Sequence, residues 1–511
     1  MRAAMSGLAR HGADRFGDRI AVSVLGSGEE ISFREIDDLA GRYAGGLAAL
    51  GIGRGDRVII HLANGIGWIV AYHALARLGA IVVPANILLS PAEVAFIATD
   101  SEASLIILGA ERKVDISQAL VDLVGRDLAA IVHADSSRAG MPPAMLGHDY
   151  RAPVSVEPED VFTIGYTSGT TGRPKGATQT HEAVFLSTAM TATVHVRSAE
   201  DRVLTALPFP HVYGNVVMNA AFLAGLRLYV LPRFEAGAAL AAIEGQGITL
   251  FEGVPTMYYQ MLSHPAFSAT DFGALSRCTV GGQTIPVSVI EEVSAKMGCP
   301  VLELWGMTEV AGPATTHSPY WPSRPGTIGL PFPGFEVRIA DLDDAERTVA
   351  AGEAGELCVR GPLVTRGYWR NADATQAAID ADGWLATGDV AVREPDGYLR
   401  IVDRRKDLII TAGYNVYPAE LEQVIAMHPA IAMVAVAAIP DREKGELAKA
   451  FVVLRPGMAC DADELAAHCR RHLAAYKQPR AFAFVDELPR TSTGKILRRA
   501  LRPEPAITEP L

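Results

Sequence analysis

The stretch Tyr166-Thr-Ser-Gly-Thr-Thr-Gly-Arg-Pro-Lys-Gly176 directly follows an apolar run, residues 160–166, that reads as a buried strand. Gly169, Gly172 and Gly176 permit tight turns and let backbone N–H groups approach an anion. Thr167, Ser168, Thr170 and Thr171 add neutral hydroxyl donors, and Lys175 adds a mobile positive charge. This combination suits a polyphosphate. A plain surface loop seldom needs so many hydroxyls and glycines after a buried strand. It is not a Walker A loop, because Pro174 precedes the lysine and Gly176 follows it.

On both sides of this loop, short apolar runs alternate with amphipathic, alanine-rich stretches. Candidate strands lie at 57–62, 80–85, 104–109, 129–134, 226–231, 249–253, 277–280 and 300–304. Candidate helices lie at 33–50, 68–78, 91–99 and 287–297. Several of the strands lack period-2 alternation, as strands buried on both faces do. The pattern predicts an α/β protein with mostly parallel sheets flanked by helices. The character then changes. Short strands at 336–340, 355–360 and 397–402, separated by Gly and Asp turns, predict a small β-rich subdomain over residues 325–402. A helix at 418–427, strands at 430–439 and 449–454, a helix at 461–473 and a strand at 481–485 predict a compact α+β unit. The expected division is therefore an N-terminal domain, 1–402, and a small mobile C-terminal domain, 403–511.

The chain's 511 residues exceed what one hydrophobic core usually supports, which fits this division. The net charge of −12 argues against a duplex-DNA binder, which needs a basic footprint. The charge is uneven: residues 403–511 carry +2 and the remainder −14. The five cysteines are scattered and form no C-x-x-C pair, which argues against a disulfide framework or a cysteine zinc site. The N-terminus shows no apolar run of signal-peptide length, and the C-terminus shows no S-K-L address. The most apolar long stretch, residues 203–231, is interrupted by Pro208, Pro210, His211 and Arg227, so it reads as protein core. Together these features predict a cytoplasmic protein without a transmembrane segment.

Five further motifs carry chemistry. Gly281-Gly-Gln-Thr-Ile-Pro286 is a Gly-Gly turn after a strand. In Leu304-Trp-Gly-Met-Thr-Glu309, Trp305 offers a ring for stacking, Thr308 a hydroxyl, and Glu309 a hard oxygen ligand suited to Mg²⁺. Thr387-Gly-Asp389 presents a carboxylate able to accept two O–H donors. Asp403-Arg-Arg-Lys-Asp-Leu-Ile409 is a charge run at the composition break. Pro489-Arg-Thr-Ser-Thr-Gly-Lys-Ile-Leu-Arg498 places Lys495 on a loop, exposed, before a basic tail. Taken singly, these read as a turn, a core tryptophan beside a solvated glutamate, another turn, a solvated face and a surface lysine.

Taken in order, the six segments resemble the adenylate-forming enzymes through essentially the whole chain. That family includes acyl-CoA synthetases, aryl-CoA ligases, peptide-synthetase adenylation domains and firefly-type luciferases. The resemblance implies ATP and AMP contacts from Thr167, Ser168, Gly169, Thr170, Thr171 and Gly172. It implies adenine and acyl contacts from Gly281, Gly282 and Gln283. Trp305, where most relatives have tyrosine, would stack on adenine beside Gly306 and Met307. Asp389 would bind the ribose hydroxyls, and Arg404 ribose or phosphate. Lys175, Thr308, Glu309 and Lys495 would be catalytic, with Mg²⁺ on Glu309. Lys406 matches the hinge. Gly413 and Tyr414 would line the thiol tunnel, with Lys449, Lys477 and Arg480 on the coenzyme A side.

Leu207-Pro-Phe-Pro-His-Val-Tyr-Gly214 resembles the family's acyl-pocket segment, which makes His211, Val212, Tyr213 and Gly282 pocket candidates. His211 reads as a wall or gate rather than a general base. No acidic residue occurs between Pro208 and Leu231, so an α-ammonium has no partner there. Arg227 is the only base in that span, and residues 253–262 carry no charge, so a dicarboxylate lacks a cation. The expected activity is ATP-dependent acid–thiol ligation of an apolar fatty or aryl acid, through an acyl-adenylate to coenzyme A. Alternatives are a stand-alone enzyme loading an acyl-carrier protein and a non-catalytic nucleotide-binding module. A homodimer is compatible with the family.

Overall fold

The computed structural model describes residues 4–124, 128–168, 174–322, 324–411, 414–491 and 495–501. The described strands form four sheets. The largest has nine strands. Its centre runs Val301–Met307, Arg277–Gly281, Leu250–Gly253, Arg202–Thr205, Arg227–Val230 and Ile20–Val24, all parallel. Antiparallel strands close both sides: Glu29–Ser32 at one edge, then Gly312–Thr316 and Leu330–Pro331 at the other. The second sheet orders Ala129–His133, Leu105–Gly109, Arg57–His61, Ile81–Pro84, Val161–Ser168 and Pro174–Thr180. All its pairs are parallel except the last.

Helices pack between and around these sheets. Ile66–Leu78 is buried at all of its positions and apolar nearly all round, as a helix inside a core must be. Its one charge, Arg77, is neutralised by Asp37 and also donates to the Tyr150 hydroxyl. Helices Phe33–Ala49 and Pro91–Asp100 start at full capping boxes, Ser32 with Glu35 and Ser90 with Glu93, which satisfy otherwise orphaned N–H groups. The apolar stretch around residue 215 folds as strand Arg202–Thr205, helix Val212–Ala224 and strand Arg227–Val230, all core. Among the described residues no helix is long and apolar enough to cross a membrane.

The third sheet is antiparallel: Glu336–Ala340, Ala354–Arg360, Leu385–Arg393 and Leu399–Arg404. The fourth joins Ile409–Thr411, Tyr414–Val416, Ile431–Asp441, Gly445–Leu454 and Ala481–Phe484, covered by helices Pro418–Ala426 and Ala462–His472. This smaller C-terminal part has its own apolar core around Leu421, Ile425, Val436, Ala450 and Leu465. The α/β class with mostly parallel sheets holds.

Two local expectations need correction. Thr387-Gly-Asp389 is not an isolated turn. It lies inside strand Leu385–Arg393, and Asp389 pairs in register with Arg404. Lys175, read above as part of the phosphate loop, lies on strand Pro174–Thr180, opposite Thr167 in an antiparallel hairpin.

Candidate active site

Two clusters of the sequence-derived residues meet at the C-terminal ends of the parallel strands, where open α/β sheets place their ligands. The first surrounds Glu309. The strand Val301–Met307 ends in a tight turn, Thr308–Val310, that buries the Glu309 side chain. Its Oε1 accepts from the Tyr368 hydroxyl at 3.0 Å and faces the Thr167 hydroxyl at 3.5 Å. Tyr368 stays protonated, because burial and the Glu309 charge both push its pKa up. Lys175 Nζ lies 5.2 Å from the centre of the Tyr368 ring. Gln179 Nε2 donates to the Thr308 carbonyl at 2.8 Å, and Gln179 Oε1 accepts from the Thr163 hydroxyl. Gly165 is required here: a Cβ would sit 2.6 Å from Thr308 Cγ2.

The second cluster surrounds Asp389, which is buried. Trp305 Nε1 donates to Asp389 Oδ2 at 2.7 Å, and Arg404 Nε lies 3.2 Å from Oδ1. The indole edge thus fixes the carboxylate, a role the stacking argument did not foresee. Lys495 reaches in from the C-terminal part. A Cβ on Gly282 would lie 2.9 Å from Lys495 Cε and 3.6 Å from Nζ, and Gly282 has φ +90°. Lys495 is therefore half-buried in the cleft, not on an exposed loop. Burial, with Arg404 nearby, lowers its ammonium to a pKa of about 8, while Asp389 opposes the shift. His211 caps helix Val212–Ala224 through Nδ1, which accepts from Tyr213 N at 3.3 Å. Burial and the Lys495 charge push its imidazole down to about 3, so it is neutral and a poor base near neutral pH.

Behind His211, Val212 is buried and the Tyr213 hydroxyl turns away into a buried polar group. It contacts Thr279 Oγ1 at 2.6 Å and Glu252 Oε2 at 3.1 Å, while Glu252 forms a fully buried ion pair with Arg197. Gly281 leaves room for Leu304, since a Cβ would lie 2.3 Å from Leu304 Cδ1. Gly306 admits the Gly312 carbonyl, at 2.0 Å from a notional Cβ. Met307 packs against the apolar core of the β-rich subdomain.

On the far side, Tyr414 and Tyr476 place their ring centres 4.8 Å apart, and Lys477 pairs with Glu420 at 2.7 Å. Lys449 lies over the Phe451 ring, and the neighbouring Arg480 donates to the Ala475 carbonyl. Lys406 is exposed in the turn Arg405–Asp407, which Arg405 anchors to Glu356 at 2.7 Å. Gly169, Thr170, Thr171, Gly172 and Gly413, and the Ser168 side chain, lie outside the described residues. Among the described residues one other group, His428, Cys460 and Glu464, gathers metal-capable atoms within 4.8 Å. His428 Nδ1 accepts the Ala430 N–H at 3.3 Å, and Nε2 lies 3.4 Å from Glu464 Oε1.

Tyr368, Gln179, Arg197 and Glu252 escaped the sequence reading. Tyr368 comes from a distant segment that docks through Thr178 N to the Gly367 carbonyl and Trp369 N to the Gly176 carbonyl. No local periodicity signals such a contact.

The comparisons agree with this geometry. A family model described as AMP-binding enzyme matches residues 9–369, and one described as AMP-binding enzyme C-terminal domain matches residues 420–495. The chain belongs to the AMP-binding enzyme family. It is 35% identical to a long-chain-fatty-acid–CoA ligase of Bacillus subtilis, over 96% of this chain and 93% of that protein. It is 37% identical to the 3-[(3aS,4S,7aS)-7a-methyl-1,5-dioxo-octahydro-1H-inden-4-yl]propanoyl:CoA ligase of Mycobacterium tuberculosis, over 92% of each chain. Among solved structures, it superposes on ATP-bound MatB from Rhodopseudomonas palustris with a TM-score of 0.89, 30% identity and 98% of each chain covered.

Proposed function

We propose that the protein is an ATP-dependent acid–thiol ligase with an apolar fatty or aryl acid as its preferred substrate, acting in the cytoplasm. The acid's carboxylate oxygen attacks the α-phosphorus of ATP, and pyrophosphate leaves. The sulfur of coenzyme A then attacks the acyl carbon of the adenylate, the thiol proton passes to solvent, and AMP leaves with the carboxylate oxygen. The observation that carries this reading is the convergence of Lys495 with Gly282, Asp389 and Arg404 across the cleft.

In the first step catalysis is positioning plus neutralisation of charge. Asp389, held by Trp305, would accept the ribose hydroxyls. Lys175 and Thr167 would face the phosphates together with the phosphate-loop residues. Lys495 would bridge the acid's carboxylate and the α-phosphate. Glu309 and the Thr167 hydroxyl form a hard-oxygen set that fits Mg²⁺, and Glu309 would hold it. When bound, the ion neutralises phosphate charge. In the second step Tyr414, Lys449, Lys477 and Arg480 are the candidate coenzyme A contacts. The proposed division between the parts is at Asp403, near the end of strand Leu399–Arg404, with Lys406 just beyond it as the proposed hinge.

The acid's character follows from charge. Arg197 is a cation within electrostatic reach of Tyr213, and Glu252 already matches it. A second carboxylate or an α-ammonium therefore finds no free partner among these residues. The test is AMP release over short, medium, long and aromatic acids with Mg-ATP and coenzyme A, comparing kcat/KM. Expected is preference for a monocarboxylate with an apolar tail. Preference for malonate-like or amino acids would reject the acyl assignment.

The Lys495 ammonium is protonated below about 8 and neutral above it. Since the proposed role uses the charge, kcat/KM for ATP–pyrophosphate exchange should fall as pH rises through that value. A Lys495→Arg variant, charged throughout, should lose this alkaline limb whatever its absolute rate. Stability runs the other way: the unfolded lysine binds its proton up to 10.5, so stability gains between about 8 and 10.5.

A further inference from the structure

We propose that Gln283 is a positioning residue that seats Lys495 for adenylate formation by gripping the peptide that follows it. The resemblance had placed Gln283 at the adenine. In the structure its amide spans the cleft. Gln283 Oε1 accepts the Ile496 N–H at 2.7 Å, and Nε2 faces the Ile496 carbonyl at 3.5 Å.

The reason lies in the hairpin that carries Lys495. Thr491 N donates to the Lys495 carbonyl at 2.7 Å and Leu497 N to the Pro489 carbonyl at 2.8 Å. Arg490 and Ile496 face each other as a non-bonded antiparallel pair, so both polar groups of Ile496 point out of the hairpin. One side-chain amide meets both, as an edge strand would. The hairpin's other flank is tied to the C-terminal part. Arg498, mostly buried, pairs with Glu422 at 2.6 Å and Asp403 at 3.1 Å. Other ties join the two parts, among them Glu292 to Arg455 at 2.8 Å, Gln423 to Val287 N at 3.3 Å and Arg405 to Glu356 at 2.7 Å. These hold helices, a turn and strand ends, whereas Gln283 acts on the residue adjoining Lys495. Gly282, immediately before it, leaves the space the lysine stem occupies.

This inference rests on the acid–thiol ligase reading, and one of its two tests does not. Gln283→Met keeps the volume and removes both bonds; Gln283→Asn is one methylene too short to span them. For each, hydrogen exchange of the full apo chain should show faster exchange in the peptide containing Ile496, with thermal midpoints unchanged. That readout is independent of catalysis, and unchanged exchange overturns the grip. In turnover, each variant should lower the limiting rate of ATP–pyrophosphate exchange about tenfold, the scale of losing up to two hydrogen bonds. KM for ATP should move less than about twofold if no binding contact is lost. Thioester formation from supplied acyl-adenylate should be unchanged. A raised KM with an unchanged limiting rate would return Gln283 to the adenine. Equal loss in both half-reactions would show a merely structural role. Faster exchange at Ile496 in an enzyme that activates no acid would reject the ligase reading and leave the grip standing.

Discussion

Lys495→Ala should lower the rate of ATP–pyrophosphate exchange by about 10²–10³-fold, the range for removing one preorganised charge-stabilising group. The lysine is carried across the cleft by a hairpin, sits against Gly282, and lies within electrostatic reach of the Asp389–Arg404 pair. A lysine suits the task because its compact charge rides on a long stem. The same variant should form thioester from supplied acyl-adenylate at close to the unmodified rate, because pyrophosphate has already left. Equal losses in both half-reactions would contradict the assignment. The wild-type chain's alkaline limb should be absent from whatever exchange activity remains.

Glu252→Gln should destabilise the fold by about 3–5 kcal/mol, the cost of leaving one member of a buried ion pair alone. Arg197 and Glu252 are both fully buried at their side chains, and Nε and Nη1 of Arg197 have no hydrogen-bond partner among the described residues. Removing the carboxylate strands that charge and loosens the Tyr213 and Thr279 hydroxyls. Replacing both charges, Arg197→Met with Glu252→Leu, should cost less than the single change, since no charge is then uncompensated. Urea unfolding followed by fluorescence measures both. A single variant as stable as the parent would show that the pair carries no such strain. Its place behind Tyr213 also predicts altered acid preference in any folded variant.

Much of the fold could be read from local pattern. The helix Val287–Met297 runs over the residues its periodicity predicts, and the buried strands agree to within a residue or a few at each end. Period and apolar runs report elements whose burial is set by the sheet they join. The misreadings share one cause. Lys175 and Asp389 sit in strands that look like loops, because Gly, Pro and Asp are poor strand formers held there by pairing with the adjoining strand. Tyr368 meets Glu309, and Gln283 meets Ile496, across separations that leave no local trace. Trp305 was recognised for its ring, but its N–H does the visible holding. The Arg197–Glu252 pair was hidden for the same reason. Each residue alone is an ordinary charge, and only the fold makes them a buried couple.

In the proposed reaction an acid's own oxygen attacks the α-phosphorus of ATP and stays with AMP after thiol transfer. Incubation of a preferred acid labelled with ¹⁸O in its carboxylate, with Mg-ATP and coenzyme A, tests this by mass spectrometry of the nucleotide product. The mechanism predicts AMP carrying one labelled oxygen in its phosphate, together with the acyl-CoA. Unlabelled AMP, or label appearing in inorganic phosphate beside ADP, would contradict it.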